Sequence, residues 1–313
     1  MDKNSPPEFH ASFYGPRYWF TWLGLGFFYL LARFPVPLAL VFGRLLGDLF
    51  YYFARSRRRI CETNIALCFP QLSAQQQANL VRSTLHNTGK SLVEMAIGLW
   101  GPAGQLDNRF EIHGLEHLQV QQRQGQGVLL LGAHFTTIDI VGRILSPYAK
   151  FDVLYRQDES PLMEYILAHA REKFAQSAIP RGDTRQLIRN LREGRVVWYA
   201  PDQDYGAKHS VFAPFFGVQA ASIVGTARIA RLGEAAVVPF SHYRDENNCY
   251  HLVFEPALEN YPTGDDVADA TRINQIVEAA VMKHPDQYWW VHRRFKTRPP
   301  GESSPYPNKT RRR

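Results

Sequence analysis

The run Val-Leu-Leu-Leu-Gly-Ala (128–133) is apolar at every position and stops directly at His134. Gly127 precedes it, Gly132 punctuates it, and a helix-like segment follows through Ile144. A run this short and this apolar reads as a buried strand, and the chain repeats the pattern. Strand-like stretches at Phe110–Gly114, Lys150–Tyr155, Ala178–Arg181, Arg195–Ala200, Ala235–Phe240 and Cys249–Phe254 are interleaved with helical ones. The helices are read at Leu162–Phe174, Thr184–Glu193, Ser222–Arg231 and Asp265–Lys283. Strands alternating with helices of this length predict an α/β layered fold. Residues 60–100 read as helical, with a break at Leu67-Cys68-Phe69-Pro70 and a new start at Ser73, whose capping-box partner is Gln76.

The amino-terminal region obeys different rules. Residues 18–43 are apolar almost all round and rich in aromatics, interrupted by Arg33, Pro35 and Pro37. The uncharged part, Tyr18–Ala32, falls short of the roughly 20 residues that cross a bilayer. Three readings stay open: a span with a proline break, a helix lying in the interface, and a helix pair buried against the body. Tyr18, Trp19 and Trp22 favour membrane contact. The cluster Arg55, Arg57, Arg58 and Arg59 follows, so the positive-inside bias puts the large carboxyl-terminal part in the cytoplasm. The expected division is an anchor with its basic flank (1–55), a catalytic domain (56–299) and a disordered basic tail (300–313).

A net charge of +7 points to an anionic partner such as phospholipid headgroups, a phosphorylated substrate, an acidic carrier protein or nucleic acid. The three cysteines fit no metal cluster and read as free thiols.

Polar groups gather at predicted strand ends, where open α/β sheets bind ligands. His134 ends one strand, Arg156 and Arg181 end two others, and Asp202 and Asp204 follow a fourth. Asp139, five residues past His134, is expected to reach back, hold one imidazole tautomer and stabilise the imidazolium. Arg156 is expected to stabilise a developing oxyanion or to bind substrate phosphate, Arg181 and Lys208 are weaker phosphate candidates, and Asp202 is expected to order the site rather than react. A divalent ion held by His134, Asp139, Asp202, Asp204 and His209 is the rival chemistry, but no paired-ligand spacing supports it. Phosphate-loop, dinucleotide and nucleophile-elbow motifs are absent from the sequence. An activated substrate hydroxyl is therefore the simplest nucleophile.

Four segments together resemble the late acyltransferases of lipid A biosynthesis, the lauroyl/myristoyl acyltransferase family, with the lauroyl-type branch nearer. They are Asn64-Ile-Ala-Leu-Cys-Phe-Pro70, His134-Phe-Thr-Thr-Ile-Asp139, Val197-Trp-Tyr-Ala-Pro-Asp-Gln-Asp-Tyr-Gly206 and Gln287-Tyr-Trp-Trp-Val-His-Arg-Arg-Phe-Lys-Thr-Arg-Pro299. The resemblance implies a mixed central sheet flanked by helices, like that of glycerolipid acyltransferases, and a single-pass inner-membrane protein with a cytoplasmic site. It implies transfer of an acyl chain from acyl carrier protein to a hydroxyacyl chain of a lipid A precursor, without cofactor, metal or nucleic acid. His134 and Asp139 match its catalytic signature, with Asp139 standing where the lauroyl branch often carries Glu. A glycerolipid or lysophospholipid acyltransferase is the runner-up, and a non-catalytic lipid-binding protein of the same fold the third reading.

Overall fold

The computed structural model describes residues 8–306. A seven-stranded mixed sheet forms its centre, in the order β1-β9-β8-β2-β5-β3-β4. These strands are β1 Phe110–His113, β2 Val128–Leu131, β3 Asp152–Tyr155, β4 Ser177–Pro180, β5 Val196–Tyr199, β8 Ala236–Arg244 and β9 Tyr250–Phe254. β8, β2, β5, β3 and β4 run parallel, and β9 reverses against β8 and carries β1 alongside it. The mixed sheet flanked by helices is thus as the sequence implied.

Both faces of the central strands are covered, which explains why β2 and β5 are apolar without alternation. Val128, Leu130, Val196, Trp198, Val238 and Phe240 face one layer. That layer holds α2 (Val36–Phe53), α4 (Ala74–Trp100), α5 (Leu115–Arg123) and α6 (Ile138–Leu145). Leu129, Leu131, Val197, Tyr199 and Val237 face α8 (Thr184–Arg192), α9 (Gly225–Gly233) and α10 (Asp266–Lys283). A third cluster joins α3 (Arg55–Cys68) to the carboxyl-terminal aromatics, with Trp290 and Phe295 fully buried. The Ser73–Gln76 capping box opens α4 as expected.

A hairpin, β6 Ser210–Phe215 with β7 Val218–Ile223, stands where the sequence reading had no strand. Pro214 inside β6 and Phe216 at the turn conceal it. Proline demotes a strand, and the turn needs positive φ at Phe216 (49°) and Gly217 (74°), where sequence leads one to look for Asn-Gly. Ser222 therefore belongs to β7 rather than to the following helix.

The amino terminus is two helices, α1 (Trp19–Leu31) and α2, broken at Ala32–Pro35. α2 is long and apolar enough, by length and composition, to cross a membrane. It also packs closely on α4: a Cβ on Gly89 would lie 2.2 Å from the Gly43 carbonyl oxygen and 2.3 Å from the Gly47 nitrogen. The opposite faces carry exposed Phe20, Leu23, Leu30, Leu45 and Phe53. At the other end, the expectation of disorder beyond Pro299 does not hold as far as Tyr306. Its ring is buried, and its hydroxyl donates to Asn64 Oδ1 at 2.5 Å and accepts from the Phe295 amide at 3.0 Å. An aromatic that fills a core and satisfies two polar groups outweighs the Pro/Ser character of its neighbours. Residues 307–313 lie outside the described residues.

Candidate active site

His134 sits three residues beyond the end of β2, on a loop held by the carboxyl-terminal aromatic segment. The Trp289 amide donates to the His134 carbonyl at 3.0 Å, and the Thr136 amide to the Gln287 carbonyl at 2.8 Å. Phe135 and Tyr288 form an antiparallel bridge. Asn64 braces this segment from α3, its amide donating to the carbonyls of Trp290 and His292 at 2.7 Å each. The aromatic-cationic run at 288–298 is therefore in large part a bracket for the His134 loop.

The partner of His134 is Asp202, just past the end of β5. Its Oδ1 lies 2.6 Å from His134 Nδ1, and its Oδ2 accepts from the His134 backbone amide at 3.0 Å. One carboxylate thus fixes both the ring and the backbone of the same residue. Burial raises the cost of the Asp202 charge, but the His134 charge and hydrogen bonds overcome it and hold the carboxyl down at about 2. For His134 burial pulls the other way, and the Asp202 charge and hydrogen bond win, so its pKa is raised. Nδ1 faces an anion and carries the proton, leaving Nε2 as the basic nitrogen.

Asp139, the acid that the sequence offered as orienter, does not contact the imidazole here, though its charge still acts on His134. Among the described residues no hydrogen bond or ion pair joins it to His134. The reason is geometric: Asp139 lies in the first turn of α6, and Asp202 already occupies Nδ1. Asp139 instead lines the same cavity as His134. Water reaches it there, yet protein surrounds it. Desolvation, with Glu94 adding like charge, pushes its carboxyl up to about 6. Glu94 itself comes from α4. It is fully buried and paired with Arg244 of β8, which also donates to Asn87 Oδ1 at 2.6 Å, while the Tyr250 hydroxyl donates to Glu94 at 3.0 Å.

The cavity measures about 860 Å³, inside the roughly 300–1,000 Å³ usual for ligand sites. Apolar residues such as Ile138, Phe151, Leu154, Trp198 and Ile229 make much of its wall. Arg156 and Arg181 line it: Arg156 is largely exposed beside Glu159, and Arg181 lies over the Tyr205 ring at 3.9 Å. Lys208 does not line it; the residue is exposed on a short 3₁₀ turn, Ala207–His209. Arg171, which the sequence reading did not single out, does. It caps the Tyr155 ring at 4.4 Å, lies 3.6 Å from Glu164, and leaves Nη1 without a hydrogen-bond partner. Its place in the last turn of α7 (Pro161–Arg171) gives no sequence signal beyond an ordinary helix-end cation.

Asp204 faces away into structure, accepting from the Thr297 amide at 2.7 Å and its hydroxyl at 2.9 Å. The rival five-residue metal set is therefore not assembled. Behind His134, Thr137 Oγ1 lies 2.8 Å from His242 Nδ1, and burial lowers that histidine to about 3. His242 is therefore neutral at working pH.

The pattern of the bacterial lipid A biosynthesis acyltransferases matches residues 6–297. A lipid A biosynthesis palmitoleoyltransferase of Escherichia coli K12 is 37% identical over 301 residues, covering 96% of this chain and 98% of that protein. A lipid A biosynthesis lauroyltransferase of the same organism is 37% identical over 302 residues, covering 96% and 99%. The myristoyltransferase of that organism is 30% identical over 311 residues, covering 97% and 95%.

Proposed function

The chain belongs to the bacterial lipid A biosynthesis acyltransferase family, and from that premise we propose the chemistry of its site. The donor is an acyl chain on acyl carrier protein, the acceptor a hydroxyacyl chain of a lipid A precursor, and His134 is the general base. The observation that carries this reading is the 2.6 Å contact of Asp202 with His134 Nδ1, which leaves Nε2 basic in a largely apolar cavity.

In the reaction, Nε2 takes the proton of the acceptor hydroxyl as its oxygen attacks the thioester carbon. An ester C–O bond forms, the C–S bond breaks, and Nε2 returns the proton to the departing thiolate of the phosphopantetheine arm. No covalent enzyme intermediate is required, so both substrates bind before chemistry. Asp202 orients the imidazole and stabilises the imidazolium. Asp139 adds charge stabilisation from the cavity wall. Arg156, Arg171 and Arg181 supply cations for the phosphates of the acceptor or for the developing oxyanion. The apolar faces of α1 and α2, with Arg55 and Arg59 exposed beside them, attach the protein to inner-membrane phospholipid with the body on the cytoplasmic side.

The test is acyl transfer from labelled acyl carrier protein, offered a tetraacyl lipid A precursor alongside a lysophospholipid. Gain of one acyl chain on the precursor is expected, and a gain only on lysophospholipid would overturn the acceptor assignment. His134→Ala is expected to fold normally and lose about 10²–10⁴ in rate or more. Near-normal transfer by that variant sinks the role of His134.

A further inference from the structure

Outside the cavity, on the far edge of the sheet, three side chains present ligand atoms to one point. Glu111 and His113 lie on β1, and His251 lies on the neighbouring β9, where Glu111 and His251 are register partners. His113 Nε2 is 3.3 Å from His251 Nδ1 and 3.4 Å from Glu111 Oε2; His251 Nδ1 is 3.5 Å from the same carboxylate oxygen. Among the described residues this is the only group of three His, Cys, Asp or Glu side chains drawn together in this way.

We propose that Glu111, His113 and His251 form a binding site for a divalent transition-metal ion of the zinc class. The distances fit an ion on all three sides, whereas as hydrogen bonds only the 3.3 Å His113–His251 side is short enough to count. Charge-assisted hydrogen bonds between imidazolium and carboxylate run about 2.7–2.9 Å, well short of the 3.4 and 3.5 Å seen here. A tetrahedral ion with bonds of about 2.0–2.1 Å sets its ligands about 3.4 Å apart. The triangle of 3.3, 3.4 and 3.5 Å matches one face of that tetrahedron. The fourth position opens to solvent, since Glu111 and His113 are both exposed.

An outer partner strengthens the site. His251 Nε2, the nitrogen turned away from the triangle, lies 3.5 Å from Asp245 Oδ2, a long contact that a small turn of the ring on binding an ion would shorten to a full hydrogen bond. That carboxylate is fixed in turn by the Cys249 amide, which donates to its other oxygen at 2.8 Å. A carboxylate behind a ligating histidine selects the tautomer that frees Nδ1 for the ion. His251 is also stacked on Tyr243 with ring centroids 4.6 Å apart, which limits its swing. The two histidine rings lie within 7° of parallel, and the exposed His113 ring turns at little cost to aim its lone pair. A bound ion clamps the edge strand β1 to β9, with no part in acyl transfer.

The experiment uses the full chain in detergent, stripped with chelator and dialysed, then titrated with zinc chloride and separately with cobalt chloride. One equivalent is expected to bind, with cobalt giving the intense visible absorption of tetrahedral coordination. His113→Ala combined with His251→Ala is expected to abolish both signals. Asp245→Asn, which leaves all three ligands in place, is expected to weaken zinc by about 10–100-fold. Thermal unfolding without metal checks that each variant is folded. Substoichiometric binding, an octahedral cobalt spectrum, or zinc binding that survives the double variant overturns the proposal.

Discussion

At the scale of single residues, the dominant relation is the one between His134 and Asp202. His134 was legible because it directly follows an apolar run; its partner was not, because 68 residues separate the two. Sequence spacing favours an acid within a few residues, and Asp139 fits that search. Yet a side chain in the first turn of a helix cannot displace a carboxylate already holding both the ring and the backbone amide of His134. The two acids separate by environment: Asp202 is held down to about 2 by the imidazole it contacts, and Asp139 is pushed up to about 6 by desolvation. A prediction follows from the raised pKa of His134. The neutral base forms only above that value, so the acid limb of kcat/KM is expected above about pH 6.5. Asp202→Asn removes the anion and leaves the imidazole buried, so the limb moves below about 6.5 while kcat falls by about 10²–10⁴. The stability difference between wild type and variant carries the same signs. The Asp202 contribution is present above about pH 4 and is lost toward 2; that of His134 is complete below about 6.5 and fades as pH rises through its raised value. Denaturant unfolding across pH is therefore expected to show the widest gap between about 4 and 6.5. An unmoved acid limb in the variant removes Asp202 from the role.

At the scale of elements, strands and helices at the centre were readable because their apolar patterns report burial on two faces. What escaped were features set by backbone shape: the β6–β7 turn at Phe216, and the close packing of α2 on α4. That packing rests on Gly43, Gly47 and Gly89, and the Gly-x-x-x-Gly spacing of the first two was visible in the sequence. Gly89→Val is expected to force the helices apart and cost at least the about 1–3 kcal/mol of overpacking, read as a lowered thermal midpoint. Gly24→Ala in α1, where an added Cβ meets nothing within 4 Å, is the control. It is expected to be neutral or stabilising by up to about 1 kcal/mol through helix propensity. A second tie crosses layers, from Glu94 of α4 to Arg244 of β8. Arg244→Met leaves Glu94 buried without its cation and is expected to cost about 3–5 kcal/mol, measured by denaturant unfolding.

At the scale of the whole molecule, the question is how α1 and α2 meet the membrane. The apolar stretch is legible in sequence, but whether it spans depends on what it packs against, which composition does not report. Besides its glycine contacts, α2 is tied to α4 by Asp48, which pairs with Arg82 at 3.1 Å and His86 at 2.9 Å. To cross the bilayer, α2 would have to break these pairs or draw a helix bearing Arg82, His86, Lys90 and Glu94 into hydrocarbon, where each charge costs kilocalories. Lying in the interface keeps every contact. It also buries the exposed ring and leucine surface of Phe20, Leu23, Leu30 and Phe53 among headgroups and acyl ends. In that seat the residues before α1 stay on the same side of the membrane as the catalytic body. Ser12→Cys and Glu302→Cys, both exposed positions, are therefore expected to react together with a membrane-impermeant thiol reagent in sealed vesicles of either orientation. Labelling of one cysteine from each side would show that α2 leaves α4 to span, and would make the packed arrangement a state of the protein outside the bilayer.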